Sequence, residues 1–599
     1  MYIKQLNIKN FRVFDNVSLY LNKGVNIIIG ENNSGKTAII DALRICLGYG
    51  KSDTNIYIQE SDLHLNPSNP IERNTEIQFD LIFEIESEVE RQCFNDFISQ
   101  DPENIELQTI QLHLKYSLDQ NGRRTFFKRS IWGGDNEGQQ IPTEALQEIF
   151  YTYLSPLRDA VTGLKPYSYD NKTAQLFNKL TKYKKGDVSI NLSEDVKKQL
   201  AERLYSVFES DEHDWKHILS EGKEKVNDHL EGTGILAKFP QIEMSYVGRK
   251  FSDVVRGIEI RRPVYTEPVE PRFQKYFEIY QNGLGENNLI YSSVVLGDLM
   301  NRCEDAELEL YNALLLEEPE AHLHPQYQNT FFEYLSTLTD RGLQVFITSH
   351  SPTITAKSDI SNVKILQRQE GSVKAFCFSV LNEDDYTSDN RKYLRKFLDT
   401  TKSQMFFASG TILVEGISEA ILLPILSRKF LIPKKIDLEK CGIEIVNIGG
   451  VAFEHFAKLF NHNNENKRLF SKCSIITDSD PTEMSPVSDR ATIAQGLRRH
   501  NLEVTLAINT FEHDLFNESE TNKIIMQEVY RGMHPQTPDL VGDFSAETLM
   551  EKLKQNKDKS EYALRLHDRL VTEDVFDIPV YIKTAVEFAA QIQDVAPTE

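Results

Sequence analysis

Gly30-Glu-Asn-Asn-Ser-Gly35-Lys36-Thr37 is a complete GxxxxGK[ST] loop, a spacing that lets backbone N–H groups wrap a β-phosphate. Gly30 and Gly35 permit the tight path, with Asn32, Asn33 and Ser34 in the turn between them. Lys36 brings a point charge to the β- and γ-phosphates, and Thr37 offers a hydroxyl to Mg²⁺. Further along, Ala313-Leu-Leu-Leu-Glu317-Glu318-Pro-Glu320 sets acids at the tip of a buried run. Glu317 is expected to orient a magnesium shell and Glu318 to polarise an attacking water. A third run, Leu343–His350, ends in a histidine placed to sense a γ-phosphate.

The second half offers a different chemistry. Gly410-Thr-Ile-Leu-Val-Glu415-Gly416 and Cys473-Ser-Ile-Ile-Thr-Asp478-Ser-Asp480 place carboxylates at strand ends. In extended chain Asp478 and Asp480 point to the same side. Glu419 lies one helical turn beyond Glu415, Glu512 and Asp514 follow another strand (Val504–Ile508), and Lys559 opens a late helix. Each is an ordinary surface charge when taken alone; their order and context carry the reading. Three or more carboxylates in one crevice repel each other and persist only when cations neutralise them. Oxygen-only ligands select Mg²⁺ or Mn²⁺ over zinc.

The elements that must position these groups follow from pattern. Tyr2–Ile8, Val17–Leu21 and Val25–Ile29 read as strands, and Ala38–Leu47 as a helix whose N-terminus points at the phosphates. Alternating runs mark strands over 76–116, and the Lys-, Glu- and Leu-rich stretch 168–236 reads as helices, Ser193–Leu204 among them. In the second half strands and helices alternate, which implies a small parallel sheet whose C-terminal ends share one crevice. The expected division is an ATPase first part over 1–165, a helical insertion over 166–240, an ATPase second part over 241–380, a polar connector over 381–408 and a carboxylate-bearing domain over 409–599.

Composition bounds the class. Hydrophobic residues make up 40% of the 599 and charged residues 26%, as in globular proteins. The six cysteines form no CxxC pair, against a disulfide framework or a thiolate zinc site. No apolar run approaches the roughly 20 residues of a membrane span, so a soluble, cytoplasmic protein is expected. A net charge of −23 argues against whole-surface attraction to nucleic acid, leaving local basic strips such as Lys182–Lys185 with Arg261-Arg262, and Arg498-Arg499.

Ile8-Lys-Asn-Phe-Arg12, the phosphate loop, Leu316–Pro325 and Thr348–Pro352 resemble the ABC ATPase heads of the RecF, Rad50 and SMC group. The resemblance adds Arg12 to the nucleotide-binding set, and implies that two heads sandwich ATP and that the helical insertion over 166–240 makes dimer contacts. Gln281-Asn-Gly283-Leu-Gly285-Glu-Asn287 stands where a signature loop is expected, although it departs from the serine-glycine-glycine form; Gln59 is the candidate for the Q-loop. His322 and His324 belong to the loop after the acidic strand, with no metal assigned. Glutamate-glycine after one strand and Asp-x-Asp after another resemble the Toprim domain. An ABC head followed by Toprim is the arrangement of the OLD (overcoming lysogenisation defect) nucleases. That resemblance implies an α/β fold, a homo-oligomer (dimer or tetramer) using ATP and Mg²⁺ or Mn²⁺, and DNA cleavage in defence against phage or foreign DNA. It also implies action alone or beside a UvrD-like helicase or a retron reverse transcriptase with its RNA–DNA. Two other readings stand beside it: a Toprim topoisomerase or primase, and an ATP-switched DNA clamp that does not cut.

Overall fold

The computed structural model describes residues 1–599 apart from 50–55, 66–73, 101–106, 122–123, 139–140, 169–170, 180–181, 186–187, 192–213, 234–241, 246–254, 266–269, 271–272, 304–309, 370–371, 451, 482–484, 486, 536–543 and 592–599. The chain divides into two compact units, Met1–Ile28 with Gly35–Lys357, and Ile29–Ser34 with Ser358–Glu599. Among the described residues no helix is long and apolar enough to cross a membrane.

The first unit begins as an antiparallel sheet. Its strands are β1 (Tyr2–Phe11), β2 (Phe14–Tyr20), β4 (Glu76–Glu84), β5 (Ile98–Gln100), β6 (Gln108–Asn121) and β7 (Arg124–Gly133), with β3 (Val25–Gly30) turning away to another sheet. The order is β2-β1-β4-β6-β5, with β7 also on β6. In β4, Ile77, Phe79, Leu81 and Phe83 are buried while Gln78 and Asp80 are less so, the alternation of a sheet with one face on a core. Phe79 sits opposite Ile8 on one side and Leu114 on the other.

A second layer holds β3, β8 (Ile149–Leu154), β14 (Tyr311–Glu317) and β15 (Leu343–Ser349). β14 runs parallel to both β8 and β15 and lies between them. Ile27, Ile28, Leu314–Leu316 and Val345–Ile347 are wholly buried, the continuous apolar run required of strands covered on both faces. Register aligns Leu316 with Leu154 and Glu317 with Thr348. The residues that leave these strands therefore share one edge, where ligands of open α/β sheets bind.

Between β8 and β14 lie two small antiparallel sheets: β9 (Lys182–Lys185) with β10 (Val188–Asn191), and β11 (Glu243–Ser245), β12 (Glu259–Pro263) and β13 (Tyr276–Glu278). The β9–β10 pair falls in the stretch expected to be helical. Its lysines suggested a helix, but Val188-Ser-Ile-Asn191 carries β-branched residues at alternate positions, which a strand accommodates. The helix expected at 193–204 lies outside the described residues. A helix is present at Asp214–Gly232, and it packs on Leu284–Cys303 through Ile218, Val226, Leu230, Ile290 and Val294.

The second unit opens with a hairpin, β16 (Val363–Gln369) and β17 (Ser372–Cys377). The polar stretch after it is tied down residue by residue. Asp385 accepts from Lys467 at 2.6 Å and pairs with His462 at 3.0 Å, and the buried Tyr386 donates to the His455 carbonyl at 2.7 Å. The helix Ser388–Phe397, capped by Thr387, lays Tyr393 on the His455 ring at 3.9 Å. Beyond it stands a wholly parallel sheet in the order β19-β18-β20-β21: β18 (Gly410–Val414), β19 (Ile443–Asn447), β20 (Lys472–Thr477) and β21 (Leu502–Leu506). Val414 aligns with Asn447 and Ile476, and Thr477 with Leu506, so Glu415 and Asp478 leave the sheet at one edge. β21 ends two residues before the expected Ile508, because the backbone N–H groups of Ile508 and Asn509 turn to the Asp514 carboxylate.

Candidate functional site

The phosphate loop is built by close approaches. Gly30 has φ of 155°, and a Cβ there would stand 2.4 Å from the Leu366 carbonyl oxygen; Gly35 has φ of 93°, with Phe14 Cζ 2.5 Å from the same imagined atom. Asn33 also adopts a left-handed φ of 61°, which asparagine tolerates better than most residues. Asn32 and Asn33 are exposed at the crest, Ser34 is buried, and Lys36 is only 6% exposed where the helix Lys36–Leu47 begins.

Strand register brings the distant acids to this loop. Thr37 Oγ1 donates to Glu317 Oε2 at 2.8 Å across 280 residues of sequence. His350 Nε2 lies 3.6 Å from Glu318 Oε1, and burial together with the Lys36 charge lowers the histidine pKa, keeping the ring neutral. Arg12 is held between Asp62 (2.8 Å) and Asp41 (2.7 Å), so two carboxylates take up much of its hydrogen-bonding capacity. Gln59 is exposed at the start of the turn that carries Asp62. His324 caps the helix Pro325–Thr337. The segment Gln281–Asn287 leads into the helix Leu284–Cys303, where Gly285 sits against the His322 carbonyl and Asn288 donates to the Ala321 carbonyl at 3.1 Å.

Two residues given no role by the sequence, Tyr153 and Glu320, complete the arrangement. Tyr153, at the end of β8, donates to Glu317 Oε1 at 2.7 Å, and the Arg44 guanidinium covers its ring at 3.8 Å. Burial and Glu317 push the phenol pKa up, so it remains a donor. Glu317 is thus held by a hydroxyl at each oxygen. Glu320 accepts from the His350 N–H at 2.6 Å and from Ser349 Oγ at 2.8 Å. Loss of a hydrogen bond to a charged group costs about 1.5–3 kcal/mol. Tyr153→Phe is accordingly expected to raise the Mg²⁺ concentration for half-maximal ATP hydrolysis about tenfold, with nucleotide affinity in chelator unchanged. A magnesium titration matching the wild type would show that Tyr153 does not orient Glu317.

The second cluster gathers at the edge of the parallel sheet. Glu415 accepts from the Thr477 hydroxyl and from the Asp478 N–H (3.1 Å), and Asp478 Oδ1 accepts from the Phe511 N–H at 2.8 Å. Glu419, on the helix Ile417–Ile425, and Glu512, on Phe511–Asn517, are 2% and 1% exposed. Lys559, first residue of the helix Lys559–Thr572, sets Nζ 3.1 Å from Glu512 Oε1. Asp480 does not share an extended path with Asp478: β20 ends at Thr477, and Asp480 turns with φ of 43° and is exposed. Its charge still reaches Glu415, whose pKa burial chiefly raises.

Crowding shows in the protonation of the cluster. Burial, then Glu415, Glu512 and Glu419, pushes Asp478 up to about 8, and burial with Glu512 pushes Glu419 up to about 7. Burial disfavours the Lys559 ammonium, yet Glu512 and Glu419 raise its pKa. Among the described residues no group of three or more His, Cys, Asp or Glu already stands as a finished ligand set. The donor chemistry nonetheless suits a hard divalent cation. Glu419 Oε2 and Glu512 Oε2 are buried and accept no hydrogen bond, a costly state for carboxylate oxygens unless a cation compensates them.

A phosphate loop with its acidic strand, followed by a parallel sheet edged with buried carboxylates, defines a P-loop ATPase joined to a Toprim domain. The chain belongs to the AAA ATPase domain family, matched over residues 1–355, and residues 406–480 match the Overcoming lysogenization defect protein-like TOPRIM domain. Glu512 and Lys559 lie beyond the second match. The Old nuclease of Escherichia phage P2 is 23% identical over 524 residues, 85% of this chain and 84% of that protein. Endonuclease GajA of Bacillus cereus (strain HuB5-5) is 22% identical over 99% of each chain. Among solved structures, the SmcHead bound to the C-winged helix domain of ScpA is 15% identical, covering 63% of this chain and 98% of that one, with a TM-score of 0.38.

Proposed function

We propose that this protein is an ATP-binding, metal-dependent DNA endonuclease acting in bacterial defence against phage or foreign DNA. The observation that carries the reading is the cluster of Glu415, Asp478 and the buried Glu419 and Glu512, with Asp480 and Lys559 beside it, at the edge of the Toprim sheet. Two full-length or near full-length relatives named as nucleases support it. Those carboxylates would hold Mg²⁺ or Mn²⁺, which when bound supplies an activated water and a Lewis acid at the scissile phosphate. Lys559 places a positive charge where negative charge builds on the phosphate oxygens. Lys36, the loop Gly30–Gly35 and Arg12 would bind the nucleotide phosphates. Thr37 and Glu317 would hold the magnesium shell, Glu318 would polarise water and His350 would sense the γ-phosphate. The finer proposals are self-association into a dimer or tetramer, action in the cytoplasm, and a UvrD-like helicase or retron reverse transcriptase as partner.

The test is supercoiled plasmid incubated with Mg²⁺ or Mn²⁺, with and without ATP. Nicks or breaks with free ends are expected. Relaxation without free ends would replace the reading with a topoisomerase, and retarded but intact plasmid would replace it with a DNA clamp.

A further inference from the structure

The helix Val580–Ala589 is fixed to the Toprim sheet at its middle and at its C-terminal end. Ser474 Oγ on β20 donates to the Ala585 carbonyl at 2.6 Å, and Gly410 on β18 lets the Ala589 carbonyl come so near that a Cβ there would stand 2.2 Å from it. Just before the helix, the buried Asn522 side chain donates to the Asp577 carbonyl (2.8 Å) and accepts from the Asp577 N–H (2.9 Å). Tyr581 stands in the first turn of this helix, between the anchorages at Asp577 and Ala585.

The Tyr581 ring packs against the apolar core of the domain, a task phenylalanine would perform equally well. Its hydroxyl is buried and has no hydrogen-bond partner. Buried hydroxyls in folded proteins nearly always have one, so an orphan calls for a reason. Ala589 lies at Gly410, the first residue of β18, and Ala585 at Ser474 further along β20, so the first turn of the helix runs on toward the strand ends that bear the carboxylates; burial, then Asp514, Asp478, Glu419 and Glu512, raise the phenol pKa there. Three of these four are the carboxylates proposed to hold divalent cations. Glu419 Oε2 and Glu512 Oε2 are themselves unpartnered acceptors. A donor without an acceptor and acceptors without a donor therefore border the same cluster.

We propose that Tyr581 is a positioning residue of the Toprim centre, its hydroxyl donating to a carboxylate of the cluster once a divalent cation draws those side chains together. The assignment rests on the metal-dependent reading above. Tyr581 acts through the carboxylate that it orients, in the way that outer partners fix the ligands of other metal sites.

The experiment compares Tyr581→Phe with Tyr562→Phe in the full chain. Tyr562 is also buried in this core, but its hydroxyl is already spent on the Met526 carbonyl at 3.0 Å. Mn²⁺ affinity is measured by calorimetry, and melting temperature with chelator and with Mn²⁺. Tyr581→Phe is expected to weaken Mn²⁺ about tenfold and to melt no lower than wild type in chelator, because it removes an unsatisfied hydroxyl. Tyr562→Phe is expected to melt lower and to bind Mn²⁺ normally. Wild-type Mn²⁺ affinity in Tyr581→Phe overturns the proposal, as does equal weakening by both variants, which would mark a packing effect. These readouts need no DNA, so absence of plasmid cleavage by the wild type would refute the nuclease reading and leave the role of Tyr581 separately decided.

Discussion

Asp478→Asn is expected to abolish DNA cleavage while ATP hydrolysis stays within about twofold of wild type. Even the outer partners of metal ligands are worth about 10–100-fold, so losing a ligand should cost at least about a hundredfold. The substitution keeps an acceptor for the Phe511 N–H, so the turn after β20 has no reason to unfold. The ATPase acids leave a different sheet, which is why the two activities should separate. Stability supplies an independent check. In the metal-free wild type the Asp478 pKa is raised from its usual 3.8 to about 8 by burial and by Glu415, Glu512 and Glu419. A raised folded pKa means stability that is complete below the unfolded value and is lost as pH climbs through the folded one. The metal-free variant should therefore melt at or above the wild-type temperature, with the gap widest near pH 8 and closing toward pH 4. Mn²⁺ should raise the melting temperature of the wild type far more than that of the variant. Joint loss of cleavage and ATPase would point to misfolding or to one shared site.

Lys36→Ala is expected to reduce ATP hydrolysis by about 10²–10³-fold, the scale of removing one preorganised group from a developing charge. Lys36 opens the helix Lys36–Leu47, and alanine is the best helix former, so the backbone of the loop should survive the change. Glu318→Gln separates binding from chemistry: nucleotide stays bound while hydrolysis falls, since the amide retains shape and loses the charge that polarises water. Phosphate release and nucleotide binding measured on both variants decide the matter. Turnover at the wild-type rate in Lys36→Ala would remove this loop from the reaction.

These expectations rest on parts of the chain that could be read locally. A phosphate loop is eight consecutive residues whose backbone must follow one path, so its glycines and lysine appear together in the sequence. Glu317, Glu415 and Asp478 were legible because each ends a buried apolar run, and strand ends converge once the sheet is parallel. Tyr153 was not legible. It sits in an ordinary strand, Ile149-Phe-Tyr-Thr-Tyr-Leu154, and matters only because β8 lies beside β14, 164 residues away. Tyr581 was hidden in the same way, as one aromatic in an amphipathic helix. The turn at Asp480 was missed because the Ser479 and Asp480 N–H groups go to the Asn509 carbonyl, and the early end of β21 because the Asp514 carboxylate captures the next backbone N–H groups. The hairpin over 182–191 was missed because lysine-rich composition outweighed a short β-branched alternation.

The run Glu320–His322 is gripped from two directions. The Glu320 carboxylate holds the start of the loop at Ser349-His350, while the backbone of Ala321 and His322 bears on Asn288 and Gly285 of the long helix. One short stretch of backbone therefore ties the turn at Ser349-His350 to the helix Leu284–Cys303, two elements that are more than forty residues apart in the chain.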